Sequence, residues 1–236
     1  MNYGKVVLVC ILAGYGIVAM AQSSPKNLPR YDQQKFHFGF TLGINTMDFS
    51  ATPVPDSDRI SDTVLVMEPV AKPGFNIGIV SSMKLAKYLD IRFVPTLSFG
   101  ERRIRYKLRL NDTTLLSDEK IVESTYIDFP VFLKYKSKRL HNSRAYVTLG
   151  GRYSLDLASQ AEKGKSNGSQ EIKLKPHDVS AEIGVGFEFF LNYFKFGTEL
   201  KMAYGFLNLL EQEDNMYARG VERLNSKMFW LTFTFE

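Results

Sequence analysis

The sequence predicts an all-β fold, an eight-stranded antiparallel up-and-down transmembrane β-barrel of the outer-membrane type, preceded by a cleavable signal peptide. Eight segments alternate apolar and polar residues, at about 36–49, 73–85, 88–100, 121–136, 144–157, 178–192, 194–206 and 225–236. The first, third, fifth and seventh gaps run to roughly twenty residues, whereas the other three are tight turns. An even number of strands, with short turns on one side and long loops on the other, is typical of bacterial outer-membrane barrels.

The signal peptide is predicted at residues 1–21. Lys5 supplies a positive charge, an apolar run follows, and the Ala-Met-Ala sequence at 19–21 forms a cleavage site before Gln22. A membrane anchor is the alternative, but the apolar run is short and lacks a stop-transfer flank. We then expect a periplasmic lead-in at 22–35 and the barrel at 36–236.

The composition excludes several classes of function. Cys10 is the only cysteine and lies in the leader, so the sequence predicts no disulfide, thiol nucleophile or cysteine metal site in the exported chain. The formal net charge is +5, with acidic residues interleaved among the basic ones. Such a mild excess favours a solvated surface, and we expect no nucleic-acid partner.

The alternation also predicts which face of each strand points outward. In the segment at 121–136, Ile127 and Leu133 share the apolar face, whereas Asp128 and Lys134 share the polar one. A soluble lipocalin-like barrel would hold the apolar face inside. Segments long enough for a tilted membrane strand, with aromatic residues gathered near their ends, favour the inverted arrangement.

The polar faces predict a packed interior. Frequent glycines keep its average side chain small, as suits a narrow eight-stranded barrel. Charges of both signs predict a network of paired ions in a closed interior and argue against a pore lined by one sign. This predicted lumen ion network comprises Asp90, Arg92, Asp128, Lys134, Arg152, Asp156, Glu182, Glu188, Glu199 and Lys201.

A second candidate site is a basic run where the third segment leaves the membrane. It comprises Arg102, Arg103, Arg105, Lys107 and Arg109. Apolar residues alternate with these, so we expect the strand to continue above the bilayer and to turn at Asn111 and Asp112. The run either contacts lipopolysaccharide phosphates or a protein partner at the cell surface, or forms the solvated face of a hairpin.

The last long loop contains Leu207, Leu209 and Leu210, followed by acidic residues. An apolar cluster at the rim could dock a partner. It could equally pack the loop down over the barrel mouth.

Nothing in the sequence favours catalysis. Some small barrels modify lipids with a His–Ser pair at the membrane interface, but His37, His141 and His177 are dispersed. Dispersed histidines do not favour a metal site either. We expect no enzymatic activity, no cofactor and no small-molecule substrate.

Several stretches resemble the PorT family. They are 89–103 (LDIRFVPTLSFGERR), 123–130 (ESTYIDFP), 153–159 (YSLDLAS), Lys195-Phe196 with 199–201, and Arg223-Leu224 leading to Phe229 and the terminal Phe235-Glu236. The likeness covers nearly the whole chain after the leader in the same order. The loop at 51–70 carries no residues that match.

The resemblance implies an outer-membrane barrel associated with type IX protein secretion and, in gliding bacteria, with motility. It implies a non-enzymatic component or accessory that acts through protein–protein contacts, with other secretion-system proteins and outer-membrane lipid as its surroundings. Two alternatives stay open: an interfacial lipid-modifying enzyme and a narrow pore for small solutes. An odd number of short gaps, with both ends on the short-turn side, predicts periplasmic termini.

Overall fold

The structure is a computed structural model, in which we describe residues 26–53, 64–111, 114–157, 175–210 and 221–236. The signal peptide predicted at 1–21 lies outside these residues. In the described ranges, a short 3-10 helix at Tyr31–Gln33 precedes nine strands. The strands are β1 (Phe36–Pro53), β2 (Val64–Lys84), β3 (Leu89–Phe93), β4 (Thr96–Asn111), β5 (Thr114–Lys136), β6 (Ser143–Asp156), β7 (His177–Phe190), β8 (Lys195–Gly205) and β9 (Val221–Phe235).

The nine strands close into an eight-stranded antiparallel barrel, as predicted. β1 pairs with β2 on one side and with β9 on the other, so the sheet has no edge around its circumference. β3 and β4 are two halves of one strand. Ser81↔Phe93 and Gly78↔Thr96 belong to the same register with β2, so no residue is gained or lost between the halves.

The interruption between β3 and β4 lies at Val94 and Pro95. Proline has no N–H, so it cannot donate to a ladder. Its carbonyl still accepts from the Ile79 N–H at 3.0 Å, and the Thr96 hydroxyl donates to the Val94 carbonyl at 2.7 Å. The predicted continuous third segment is therefore one strand with a local gap in its ladder.

The two ends of the barrel differ in their connections. At one end, here the turn end, lie the short turns at 85–88, 137–142 and 191–194, together with the lead-in and Glu236. At the other, the loop end, lie the strand ends that flank the remaining connections: Pro53 and Val64, Asn111 and Thr114, Asp156 and His177, and Gly205 and Val221. The short turns were predicted correctly.

The prediction of four gaps of similar length was wrong. β4 and β5 continue to a connection of only residues 112–113, and β2 begins at Val64 rather than near residue 73. The predicted segments began only at about 73 and 121, so the lengths of β2 and β5 were underestimated. The expected continuation of the third strand to a tip near Asn111 is confirmed, although residues 112–113 lie outside the described part.

Burial confirms the predicted faces. Large apolar side chains are exposed on the outside: Phe38 is 67% exposed and Leu149 is 61% exposed. Polar side chains on the opposite face of the strands are buried, with Thr148 and Glu182 each 1% exposed. An apolar exterior around a polar interior is the arrangement of a membrane barrel. Within the described ranges, no helix is long and apolar enough to cross a membrane, a finding that does not bear on strands.

Candidate functional site: the barrel interior

All ten residues of the predicted lumen ion network lie in the barrel interior and are buried. The least buried of them, Lys201, is 8% exposed. The structure divides them into two groups, one toward the turn end and one toward the loop end. Asp156 is buried near the loop end, on the same strand as Arg152.

Glu188 on β7 is the centre of the turn-end group. Its carboxylate contacts the Lys134 ammonium from β5 and the Arg144 guanidinium from β6, and Lys195 Nζ from β8 lies 2.9 Å away. Lys134 Nζ also lies 3.9 Å from the centre of the Tyr146 ring. A fully buried carboxylate is stable only when such cations and donors surround it.

Glu236, the last residue of the chain, is a second acidic centre of the turn-end group. Its side chain accepts from Arg92 at 2.6 Å and from Lys195 at 2.8 Å. Arg92 in turn lies 3.7 Å from Glu199, whose carboxylate accepts from the Thr148 hydroxyl at 2.7 Å. Contacts from several strands thereby join Glu188, Glu236 and Glu199 into one network.

Asp90 forms a separate pair at the same end. Its carboxylate accepts from Lys136 Nζ at 2.6 Å. Lys136 follows Lys134 at the strand period, so the same face carries both cations.

The loop-side group surrounds Trp230. Glu182 pairs with Arg152 and with Lys201, whose Nζ lies 3.1 Å from the carboxylate. The Arg152 guanidinium lies 3.7 Å from the Trp230 ring, a cation–π contact. Asp128 accepts hydroxyl hydrogen bonds from Ser98 at 2.7 Å and Ser154 at 2.5 Å. Trp230 and its charged neighbours occupy the interior at this level.

Glycine makes room for the large interior side chains. A Cβ atom added at Gly186 would lie 2.5 Å from Tyr146 Cζ, closer than atoms can approach. The sequence correctly placed glycines on this face. It did not show that they lie against aromatic rings, so the interior holds large and very small side chains together.

The lead-in closes the turn end. Asn27 donates to the Asn142 side chain and to the Phe190 carbonyl, both at 2.9 Å. Asp32 pairs with Arg144 at 2.7 Å, and the Tyr31 ring stacks on His37 with ring centres 4.1 Å apart. This short segment therefore extends the turn-end group of charges across the opening.

Tyr31 connects the lead-in to the chain's last residue. Its hydroxyl donates to Glu236 at 2.8 Å. Burial and the nearby Glu236 carboxylate raise the pKa of the Tyr31 phenol, so the group stays protonated and keeps its donor.

Replacing Tyr31 with phenylalanine is expected to lower the free energy of unfolding by about 1.5–3 kcal/mol, toward the low end because Glu236 keeps two cations. Faster tryptic cleavage at Lys26 or Arg30 would report loosening of the lead-in. Tyr153→Phe is the control, since its hydroxyl bonds with His177 at 2.7 Å on the exposed outer wall. Equal cleavage of both variants and wild type contradicts the assigned role.

At the loop end, the leucine cluster packs inward rather than forming a rim. Leu209 and Leu210 are 2% and 3% exposed, whereas Leu207 stays exposed. The Leu209 N–H donates to the Leu224 carbonyl at 2.9 Å, and Asn208 caps the backbone N–H groups of Leu210 and Leu224. The burial of Leu209 and Leu210 fits the interpretation that the loop packs down, although residues 211–220 lie outside the described part.

The basic run lies on β4, whose backbone is described as far as Asn111. β4 pairs with β5 in continuous register from Thr96↔Asp128 to Arg109↔Leu115. The side chains of Arg102, Arg103, Arg105, Lys107 and Arg109 lie outside what the structure describes. Their proposed contact with lipopolysaccharide or protein stays a prediction.

The three histidines lie far apart in the structure. His37 is buried at the turn end, His141 lies in a turn and His177 begins β7 at the loop end. Among the described residues, no group of three or more metal-ligating side chains could hold a metal ion.

Sequence reasoning missed several members of the interior networks. They are Tyr31, Asp32, Lys136, Arg144 and Glu236. For Lys136 and Arg144 the signal was present, because both continue the polar alternation of their strands. Tyr31 and Asp32 lie in the short 3-10 helix of the lead-in, so strand periodicity could not have placed them inside the barrel.

A closed barrel with an apolar exterior and a buried ionic interior defines an outer-membrane barrel protein. The family described as "Outer membrane protein beta-barrel domain" matches residues 20–211, and the chain belongs to that family. Its compartment is therefore the bacterial outer membrane. A comparison with curated proteins finds no match.

Several solved structures are similar to this chain. The outer membrane protein OprG from Pseudomonas aeruginosa has 15% identity and a TM-score of 0.47, over 85% of this chain and 95% of that one. Neisserial surface protein A has 10% identity and a TM-score of 0.42, over 85% and 98%. Ail, the attachment invasion locus protein of Yersinia pestis, has 11% identity and a TM-score of 0.34, over 86% and 98%.

Proposed function

We propose that the chain is a non-enzymatic component or accessory of the type IX protein secretion machinery, acting through protein–protein contacts at its rim, loops or outer wall. The resemblance of residues 89–103, 123–130 and 153–159 to the PorT family supports this assignment. Secretion-system proteins are then its partners, with outer-membrane lipid and lipopolysaccharide around it.

The occupied interior of the barrel is the observation that favours protein–protein contacts over transport or catalysis. Ion pairs around Glu188, Glu236 and Glu182 and the ring of Trp230 occupy the interior at successive levels. We infer that a lumen filled in this way leaves little room for a solute to pass. Partners must then meet the loop end, the turn end or the wall.

We also propose an orientation for the barrel in the membrane. In barrels of this class the short turns face the periplasm and the longer connections face out. The turn end, with the lead-in and Glu236, is accordingly periplasmic, and the extended β2, β4 and β5 strands reach outward. Protease added to intact cells tests this, since cleavage in the connection at 54–63 is expected and cleavage at Lys26 or Arg30 would overturn it.

Deleting the gene in its host is the test of function. Cargo proteins of the type IX pathway are expected to accumulate in the periplasm, because an essential contact of the machinery is missing. Re-expression of the wild-type chain restores export, and an unrelated small barrel, expressed at the same level, does not. Normal export in the deletion strain would remove the proposal. Altered lipid A by mass spectrometry, with normal export, would instead favour the lipid-modifying alternative.

A further inference from the structure

Three strands continue past the loop end of the barrel as a sheet of their own. The β1–β2 pairing ends at Met47↔Lys72, and the β5–β6 pairing ends at Tyr126↔Asp156. Beyond those points, β4 still pairs with β2 as far as Val64 and with β5 as far as Thr114. We call residues 64–71, 101–111 and 114–125 the protruding sheet.

The protruding sheet has two edges, and only one is interrupted. The β2 edge contains Pro69, and its register with β4 shifts between Val64 and Val66 and between Ala71 and Phe75. Proline and bulges are the usual means of blocking an edge strand from pairing with another chain. The β5 edge has no proline between 114 and 125, and its register is unbroken from Thr96↔Asp128 to Arg109↔Leu115. Within the described ranges, no strand pairs with its outer side.

The hydrogen bonds lower in the barrel show which residues face that edge. The Val94 N–H donates to the Pro130 carbonyl, so even-numbered residues of β5 bond toward β3 and β4. The Ser137 N–H donates to the Ala145 carbonyl, so odd-numbered residues bond toward β6. Because an antiparallel ladder alternates and no bulge intervenes, odd-numbered residues from Leu115 to Thr125 direct N–H and C=O outward.

We propose that this β5 edge, at residues 114–125, is a docking site for an extended, basic segment of a partner protein that adds to the sheet as a strand. A row of alternating backbone donors and acceptors is the complement of another extended chain. This inference deepens the proposed function and rests on it for the choice of a protein partner.

The charge of the β5 edge indicates which kind of partner strand it would bind. Residues 114–125 contain the carboxylates of Asp118, Glu119 and Glu123 against the single ammonium of Lys120. Glu119 lies across from Arg105 of β4, whereas Asp118 lies across from Tyr106 and Glu123 from Glu101, so two of the three carboxylates have no basic residue directly opposite on β4. Opposite charges across a strand pair stabilise it, and like charges directly opposite destabilise it. A basic strand is therefore favoured, and a second copy of this acidic edge is disfavoured.

The test uses Ile121, whose N–H faces the open edge. Ile121→Pro removes that donor without breaking the β4–β5 ladder, and proline is tolerated on an edge strand whose N–H faces solvent. Ile121→Ala is the matched control, because it loses the side chain and keeps the N–H. The probes are dye-labelled ten-residue peptides of alternating valine and lysine or valine and glutamate, added to the purified exported chain in detergent.

The valine–lysine peptide is expected to bind wild type and Ile121→Ala alike and to bind Ile121→Pro roughly tenfold more weakly, the effect of about one lost hydrogen bond. The valine–glutamate peptide should bind more weakly than the valine–lysine peptide throughout. Equal binding of the lysine peptide to the proline and alanine variants overturns the proposal, and so does preference for the glutamate peptide.

Hydrogen exchange of the isolated protein is the second measurement, and it does not depend on a peptide. Amides of Ser117, Glu119 and Ile121 should exchange fast, and those of the even-numbered neighbours slowly. Protection of the odd-numbered amides would mean that the edge is already covered by the same chain or by a second copy, which contradicts the proposal. Both measurements are independent of cargo export. Normal export in a deletion strain would therefore contradict the secretion role and leave the docking site at the β5 edge untouched.

Discussion

Replacing Glu188 with glutamine is expected to lower the free energy of unfolding by about 3–5 kcal/mol, the cost of breaking a buried ion pair from one side. Glu188 is 1% exposed and is the carboxylate shared by Lys134, Arg144 and Lys195. Glutamine has nearly the same shape but no charge, so three cations would be left close together without their central partner. Urea unfolding in lipid vesicles measures the change. Trp230, the only tryptophan and 2% exposed, provides the fluorescence signal.

Two further variants separate the ionic effect from a general effect on packing. Lys134→Met combined with Glu188→Gln should cost less than the sum of the single changes, because removal of one cation relieves part of the repulsion. Asp48→Asn, which alters an acidic side chain on a half-buried outer position, should stay within about 0.5 kcal/mol of wild type. If Glu188→Gln unfolds at the same midpoint as Asp48→Asn, the turn-end network contributes nothing to stability.

Arginine at Val131 is the second large effect that the structure predicts, at about 2–4 kcal/mol for a basic side chain at mid-depth in lipid. Val131 is 46% exposed on the outer wall and pairs with Phe93 and Gly151, away from both rims. The change places a charge among lipid chains and alters nothing inside the barrel.

The same substitution nearer the membrane interface is the control for Val131→Arg. Tyr135 lies on the same face of β5, four residues nearer the turn end, and is 59% exposed. The same arginine at Tyr135 should cost about 0–1 kcal/mol, because the penalty falls off toward the interface. Equal costs at the two positions would mean that the apolar wall does not face a bilayer.

The sequence predicted the parts of this molecule that periodicity controls. Alternation in β5, β6 and β7 placed Asp128, Arg152 and Glu188 in the interior, because a strand with one lipid-facing side must turn its charges inward. The partner of each charge depends on register between strands far apart in sequence, which no single strand reveals. Glu188 could be placed inside, for example, but its contact with Lys134 follows only from the closed barrel.

Two other features could not be predicted from the alternation of apolar and polar residues. Tyr31 and Asp32 lie in the 3-10 helix of the lead-in, whose position is set by contacts with Glu236 and Arg144 rather than by strand periodicity. The early start of β2 at Val64 was missed because Pro69 and the register shifts interrupt its alternation. That irregularity distinguishes the β2 edge from the β5 edge, whose outer side beyond Tyr126 pairs with no strand in the described ranges.

The central claim is that a filled interior leaves function to the outside of the barrel. Current through the purified protein in a planar lipid bilayer tests it most directly, for the wild-type chain and for a variant lacking residues 22–35. Neither should conduct, because the Glu182, Arg152 and Trp230 cluster still fills the interior after the lead-in is removed. Discrete conductance steps from the wild-type chain would contradict the claim and favour a pore.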